Sequence, residues 1–556
     1  SLLNIRVLNW VIPFATLALI LFLASHPAAW RMWDTKYFAI YRTNQPEAFR
    51  TPEMVREAID NTDVLYYAEG VQAIVSSIKI KGGGHQAFLT NGRVEASTHN
   101  EGLQCQYTLG HLPMLLHKNP RKVFVLGTGS GMTLGATSVY PSVEKITLAE
   151  IEPKVLGVAR TFGEYNHHVL DNPKLKIVFN DGRNFLLTTQ EKFDIITADP
   201  IHPWFSGAGY LYTDEYFKLA SEHLEPGGII CQWLPIYELT NENLKSVART
   251  FSDNFRYTML WLTHDDAELV GSNSPIIIDE AEMQRRISQP EVLIDLKRVM
   301  MDSSEDFLSY FVMGTAGLTA YSRNGILNTD NNLYLEFSAP FSIGEWSLMQ
   351  KNAHNITEYR ENILPYLRPA ESREKQAEQE QRWSLIQEAS SLYDRVHILF
   401  LGNSYDTPEF ERIMTDLEKR YPGFAPARFL ANEYEAEILK NPRLLQKQAF
   451  AFSNEQGSRT VVEISAVLAP VSMEKTAVIF VDNDARIIYG QLYVTGADKD
   501  AWIRDFAGGV MASIQDAYQL EVETAKGQGG TFPLQEPALH KMKEVITLRI
   551  KENKQP

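Results

Sequence analysis

Three glycines and three acidic residues carry the most legible chemistry in this sequence. Gly127, Gly129 and Gly131 fall at alternate positions directly after four apolar residues, 123–126, and a helix-compatible segment, 132–139, follows. Glycine lets a chain turn sharply between a buried strand and its helix, and lets backbone N–H groups approach a ligand more closely than any Cβ permits. An ordinary tight turn is the other reading of such a loop, and the acidic residues weigh against it. Glu150 closes the next apolar segment 19 residues after Gly131, where a carboxylate accepts hydrogen bonds from both hydroxyls of a ribose. Asp181, in Asn180-Asp181-Gly182-Arg183, closes the third segment, where an acceptor suits an adenine amino group, and Asp199 closes the fourth. Each alone reads as a solvated carboxylate at a strand end. Three in register with a glycine loop point to an adenosyl ligand.

Such residues act together only if one framework brings them to one edge. The apolar segments 123–126, 145–149, 176–179, 193–198 and 228–232 read as strands, and helix-compatible stretches separate them. That alternation predicts an α/β fold with a doubly wound parallel sheet, which binds ligands at the carboxyl ends of its strands. Ahead of it, residues 71–79 alternate, and 86–90 and 93–97 flank Asn91-Gly92, a strong hairpin signal. A small antiparallel sheet is therefore expected, then a helix over 103–116 that ends at the Asn119-Pro120 break.

The same stretch resembles the spermidine/spermine synthase (aminopropyltransferase) family, in its membrane-fused bacterial type. The matching text is Leu89-Thr-Asn-Gly-Arg-Val-Glu-Ala-Ser, Leu109-Gly-His-Leu-Pro, Val125-Leu-Gly-Thr-Gly-Ser-Gly, Val143-Glu-Lys-Ile-Thr-Leu-Ala-Glu-Ile-Glu-Pro and Asn180-Asp-Gly-Arg. It continues with Phe193-Asp-Ile-Ile-Thr-Ala-Asp-Pro, Leu211-Tyr-Thr-Asp-Glu-Tyr-Phe and Leu224-Glu-Pro-Gly-Gly-Ile, about a third of the chain in all. The resemblance implies a class I methyltransferase-like (Rossmann-like) domain with an N-terminal β-sheet. Its co-substrate would be decarboxylated S-adenosylmethionine, or S-adenosylmethionine, with no metal. Gly127, Gly129, Ser130, Gly131, Glu150, Asp181 and Gly182 would hold that co-substrate, Glu150 at the ribose and Asp181 at the adenine. Asp199 would orient and deprotonate an attacking amine, and Gln72, Gln106 and Tyr212 would bind substrate.

Two departures fall in the site itself. The family's glycine loop carries an acid where this chain has Ser130, and the second Asp of its Asp-x-x-Asp-Pro motif is His202 here. In the family those acids help bind the dicationic polyamine and its aminopropyl donor, so the adenosyl half of the match is retained and the acceptor half is altered. His202 is a candidate base beside Asp199, because an imidazole near its reference pKa suits proton transfer. A hydrogen-bonded loop histidine between two prolines is the alternative. The aromatic, glycine-containing run 204–212 reads either as a lid over the acceptor or as a packed connection.

At 556 residues the chain is expected to hold several domains, and 44% hydrophobic with 22% charged residues is globular composition. A net charge of −16 argues against a nucleic-acid binder. Cys105 and Cys231 lie in apolar segments and read as two buried thiols, with one disulfide as the alternative, and no Cys/His cluster has metal spacing. Residues 7–30 are almost uncharged, with Trp10 and Trp30 at the ends, and are expected to form a transmembrane helix; an uncleaved signal or a core helix are the alternatives. The sequence starts with Ser1 rather than Met, which leaves room for further membrane helices ahead. Arg31, Lys36, Arg42 and Arg50 after the helix, against Arg6 before it, place the following domains on the cytoplasmic side.

The expected domains are 1–35 (membrane helix and flank), 60–120 (β-sheet and linking helix), 121–345 (catalytic), 370–450 (helical) and 451–556 (α+β, with a tail). Within 241–340, residues 251–255, 258–262, 275–278 and 334–337 read as strands or strand ends, and 328–340 resembles the ending of membrane-fused family members. Residues 370–382 are charge-rich, a linker or exposed helix face, with helices over 383–393, 408–421 and 427–439. Strands are expected over 460–468, 476–481 and 486–494, then a helix over 498–518, with assembly as the guess for this last domain. Three functions follow: a membrane-anchored aminopropyltransferase acting on a small amine, an S-adenosylmethionine-dependent methyltransferase, or a degenerate synthase kept as a structural subunit of a membrane complex. A homo-oligomer or a subunit of a membrane complex is expected.

Overall fold

Val123, Phe124, Val125 and Leu126 are all buried in a strand (β5, Lys122–Leu126), because a strand covered on both faces reads as an unbroken apolar run. In the computed structural model the described residues are 13–22, 25, 35–41, 49–81, 85–405, 407–440, 445–453, 459–472, 475–481 and 487–495. Contacts divide the chain into two units, residues 1–211 with 215–233, and residues 212–214 with 234–556. This division falls inside the expected 121–345 domain.

After the helical residues 13–22, the first unit has two short helices, α1 (Thr35–Ile40) and α2 (Pro52–Asp60), and an antiparallel sheet of order β1-β2-β3-β4. Its strands are Thr62–Glu69, Ile74–Ile80, Gln86–Thr90 and Arg93–Ser97. Asn91 and Gly92 turn the last hairpin with φ of 51° and 80°, the doubly left-handed turn that matches strand twist. Ile40, Ile78, Ala87 and Leu89 form the small core beneath it. Helix α3 (Asn100–Leu116) follows and is buried from Leu103 onward, so its polar side chains need partners. His111, for example, meets the Tyr140 hydroxyl at 2.9 Å through Nδ1.

The parallel strands are β5, β6 (Lys145–Glu150), β7 (Leu175–Phe179), β8 (Phe193–Ala198) and β9 (Leu224–Pro235). They run in the order β7-β6-β5-β8-β9, so the winding reverses between β5 and β8. Leu126 pairs with Ala149 on one side and Ala198 on the other, which brings the carboxyl ends into line. Helices α4 (Met132–Ser138), α5 (Val155–Thr161) and α6 (Gly182–Thr188) lie in the first three crossovers, and the helix Asp214–Glu222 lies in the fourth, from β8 to β9. Where α4 begins, the Asn166 amide donates to the carbonyls of Ser130 (2.9 Å) and Ala159 (2.7 Å).

The second unit contains a three-stranded antiparallel ladder of order β12-β10-β11: Phe311–Met313, Tyr257–Leu262 and Asp266–Ser272. Residues 251–252 end helix α7 (Asn241–Ser252), which opens with a Thr240/Asn243 capping box, so the expected strand at 251–255 is absent. Residues 334–337 are helical as well, within Tyr334–Ser338, where the Asn328 side chain accepts the Leu335 N–H. Of 275–278, Ile278 alone bridges, to Leu367. The charge-rich run joins a helix, α8 (Arg373–Leu401), held by paired Arg360–Asp394 hydrogen bonds of 2.6 Å; α9 (Pro408–Arg420) and α10 (Ala425–Lys440) follow. Four antiparallel strands then pair in chain order, Leu445–Ser453, Arg459–Ser472, Lys475–Val481 and Ile487–Thr495; the first was not expected. The expected helix over 498–518 lies outside the described residues.

Among the described residues no helix is long and apolar enough to cross a membrane. Of the expected span 7–30, residues 13–22 and 25 are described, and they are helical; the remainder lies outside.

Gly135 tests the seating of α4, because a Cβ there would lie 2.4 Å from the Asn166 carbonyl oxygen. Gly135→Ala is expected to destabilise the chain by about 1–3 kcal/mol, the usual cost of forcing extra volume into a packed contact. Urea denaturation of the full chain measures it.

Candidate active site

The glycine loop is shaped by left-handed backbone at Gly127, Gly129 and Gly131, with φ of 84°, 51° and 80°. A Cβ at Gly127 or Gly129 would meet nothing within 4 Å, so backbone conformation, not crowding, calls for glycine there. Gly131 is confined as well, since its Cβ would lie 2.8 Å from the Asn166 amide nitrogen. Ser130 is fully buried, and its Oγ accepts the Met132 N–H at 3.3 Å, at the start of α4.

Glu150 braces this loop. One carboxylate oxygen accepts the Thr128 N–H at 2.7 Å and the other the Glu152 N–H at 2.8 Å. Burial pushes its pKa above the ordinary carboxylate value, while those N–H donors act in the opposite direction. Each oxygen has a second lone pair, which is what a ribose diol requires.

Across the switch point, Asp199 Oδ2 accepts a hydrogen bond from Gln106 Nε2. Gln106 Oε1 in turn accepts from the Thr133 hydroxyl at 3.1 Å. The same hydroxyl lies 3.1 Å from the Gln106 backbone carbonyl and shares its one proton between the two oxygens; a carboxylate only accepts, so Nε2 faces Asp199. Residues from α3, α4 and the end of β8 thus set the orientation of Asp199. Thr133 was missed in the sequence because nothing local marks it; its partner is 27 residues away.

His202 is packed into a different group. Only 3% exposed, it receives a hydrogen bond on Nε2 from Arg93 at 3.2 Å, and its Nδ1 faces Glu95 Oε2 at 3.7 Å. The Trp204 ring lies 4.4 Å from the imidazole, the Trp233 ring 5.0 Å, and the Arg93 guanidinium stands over Trp204 at 5.1 Å. Guanidinium can only donate, so Nε2 is the acceptor and Nδ1 carries the proton. A general base must offer a lone pair, and in this tautomer the imidazole has spent it on Arg93. The geometry therefore favours the packed loop histidine over the base expected beside Asp199. Burial pushes the neighbouring Glu95 carboxyl up to about 7, with Arg93 pulling the other way.

The remaining candidates are distributed. Asp181 Oδ1 accepts the Asn184 N–H at 2.8 Å and so caps α6, at the carboxyl end of β7. Gly182 is buried, and a Cβ there would lie 2.5 Å from Leu126 Cγ. Gln72 is exposed, and its backbone N–H donates to Glu152 Oε2 at 2.9 Å. Partial burial raises the Glu152 pKa, yet the N–H groups of Gln72, Lys154 and Val71 outweigh this and hold it below the ordinary value. Glu152 therefore ties the 71–72 loop to the end of β6, a role its place two residues after Glu150 could have suggested. Tyr212 belongs to the second unit, fully buried, its carbonyl accepting from the Asn328 amide at 2.9 Å. Cys105 and Cys231 are buried thiols. Among the described residues no group of three or more His, Cys, Asp or Glu is placed to hold a metal ion.

A five-stranded parallel sheet with its winding reversal flanked by a glycine loop and carboxylates defines a nucleotide-type α/β domain. Residues 103–264 match the model of the spermine/spermidine synthase domain. A polyamine aminopropyltransferase from Aeropyrum pernix is 31% identical over 196 residues, 34% of this chain and 62% of the relative. Putrescine N-methyltransferase 2 from Nicotiana attenuata is 31% identical over 175 residues, 30% of this chain and 45% of that protein. A solved spermidine synthase from Thermotoga maritima is 20% identical, with 42% of this chain and 87% of that chain covered and a TM-score of 0.35. The chain spans about three-fifths of the length of the first of these relatives.

Glu95 gives this site a pH signature. Its folded pKa lies above its ordinary 4.5, so its contribution to stability is full below about 4.5 and is lost as pH rises through about 7. Between pH 4 and 8 the stability of the wild type is expected to fall relative to Glu95→Gln, which does not titrate, by about 3 kcal/mol. Denaturant titrations of both proteins at several pH values check the sign and size.

Proposed function

We propose that the first unit binds decarboxylated S-adenosylmethionine and transfers its aminopropyl group to a small amine. The observation that carries this reading is the Thr133–Gln106–Asp199 series, which orients a carboxylate beside the glycine loop that Glu150 braces. The name of the Aeropyrum pernix relative supports the same chemistry. In this reaction an unprotonated amine nitrogen attacks the methylene carbon bonded to the sulfonium sulfur. The C–N bond forms as the C–S bond breaks, the electron pair stays on sulfur, and methylthioadenosine leaves. The nitrogen sheds one proton, and Asp199 accepts it. Gln106 holds the plane of that carboxylate, so the amine meets it in one orientation. Glu150 takes the ribose hydroxyls and Asp181 the adenine edge.

A second reading keeps the adenosyl pocket and uses S-adenosylmethionine as a methyl donor. It is favoured by the putrescine N-methyltransferase among the relatives, and by Ser130 and His202 standing where the resemblance has acids.

We also propose that residues 7–30 anchor the chain in a membrane, with the units on the cytoplasmic side, as a homo-oligomer or as a subunit of a membrane complex. In support, Phe14, Leu17, Leu19, Ile20, Leu21 and Phe22 on the described helical part are each more than half exposed, apolar surface that lipid would cover.

Calorimetric titration of the full chain with decarboxylated S-adenosylmethionine, S-adenosylmethionine and methylthioadenosine is expected to show roughly micromolar binding. Binding of none of the three overturns both enzyme readings, and preference between the first two chooses the transferred group. Asp199→Asn is expected to lower kcat at least ~100-fold, as loss of a proton acceptor does, while adenosyl affinity changes little.

A further inference from the structure

Ser130 and His202 leave the glycine loop and the loop after β8 without the acids that the resemblance has there, yet the reactants of the proposed transfer carry ammonium groups. An acid from the antiparallel sheet does stand beside His202. Phe88 pairs with Ala96 and Leu89 with Val94, so Glu95 is the extra residue of a β-bulge in β4. A bulge re-aims a side chain, and bulges gather beside active sites. The Glu95 side chain is 8% exposed, stands 3.7 Å from His202, and its Oε1 has no hydrogen-bond partner among the described residues. Two residues separate His202 from Asp199, so the two carboxylates border one loop.

The facing groups narrow what would satisfy that oxygen. Arg93, on the same strand, donates to His202 Nε2, stands over Trp204 and attracts the Glu95 charge without hydrogen-bonding Oε1, and His202 presents Nδ1 at a distance too long for a hydrogen bond. A buried carboxylate oxygen without a donor calls for an N–H, and a cationic one forms the stronger bond.

We propose that Glu95 seats a primary ammonium group of the bound reactants, replacing from β4 the acids missing at Ser130 and His202. The inference rests on the aminopropyl-transfer reading and names a specificity residue for it. Two sources share this chemistry, the aminopropyl ammonium of the donor and the distal ammonium of a diamine acceptor.

Two matched pairs of probes separate the sources, each pair differing by one ammonium group. Full-length wild type and Glu95→Gln are titrated with decarboxylated S-adenosylmethionine and with methylthioadenosine, and assayed with butane-1,4-diamine and with butylamine. A loss of affinity of at least tenfold for decarboxylated S-adenosylmethionine, with a much smaller change for methylthioadenosine, assigns Glu95 to the donor. A tenfold or greater rise in KM for the diamine, with a much smaller change for butylamine, assigns it to the acceptor. Equal changes within both pairs, as a merely structural role produces, or no change in either, overturn the inference while leaving aminopropyl transfer standing. If neither amine is turned over, the donor pair decides alone. If the wild type binds neither adenosyl ligand, the reading and the inference fall together.

Discussion

The Glu150 carboxylate is the tie on which the site depends. Its two oxygens hold backbone N–H groups on either side of a strand end, Thr128 in the glycine loop and Glu152 in the turn after β6. A side chain with one acceptor and one donor end could not serve both, because each partner is a donor. The same carboxylate is buried, and burying a charge is costly unless hydrogen bonds compensate it. Loop shape and the compensation of a buried charge therefore draw on one group. From it the rest follows outward: Glu152 holds the 71–72 loop, and Asn166 seats the start of α4.

The parallel core was legible because its strands are short apolar runs ended by glycine or acid. Residues 193–198 read as they fold, and the ends of β5 and β6 differ by a residue. Legibility failed where charge sits inside a strand. β11 was passed over because Asp266 and Glu268 interrupt its apolar pattern, yet both are buried, Glu268 completely. It also failed where tertiary contacts overrule a local pattern, as when Asn328 captures the Leu335 N–H and residues 334–337 become helical.

Within the site, the residues at strand ends could be named from spacing, because position along a parallel strand predicts position in space. What spacing could not supply was their partners. Thr133, Glu152 and Arg93 each act through a contact that no periodicity encodes. His202 shows the cost of that gap: its neighbours in sequence suggest a base beside Asp199, whereas Arg93, 109 residues away, determines its tautomer. The bulge at Glu95 is invisible for a related reason, since alternation assumes an unbroken ladder and a bulge is where the ladder skips.

That bulge has a consequence for how such a domain changes over time. An extra residue in one strand is a sequence insertion that the sheet absorbs locally, leaving the pairs on either side, Phe88 with Ala96 and Leu89 with Val94, intact. The acid it carries stands outside the parallel sheet and its glycine loop. Replacement of the group at this position therefore leaves those ladder pairs and the parallel sheet in place.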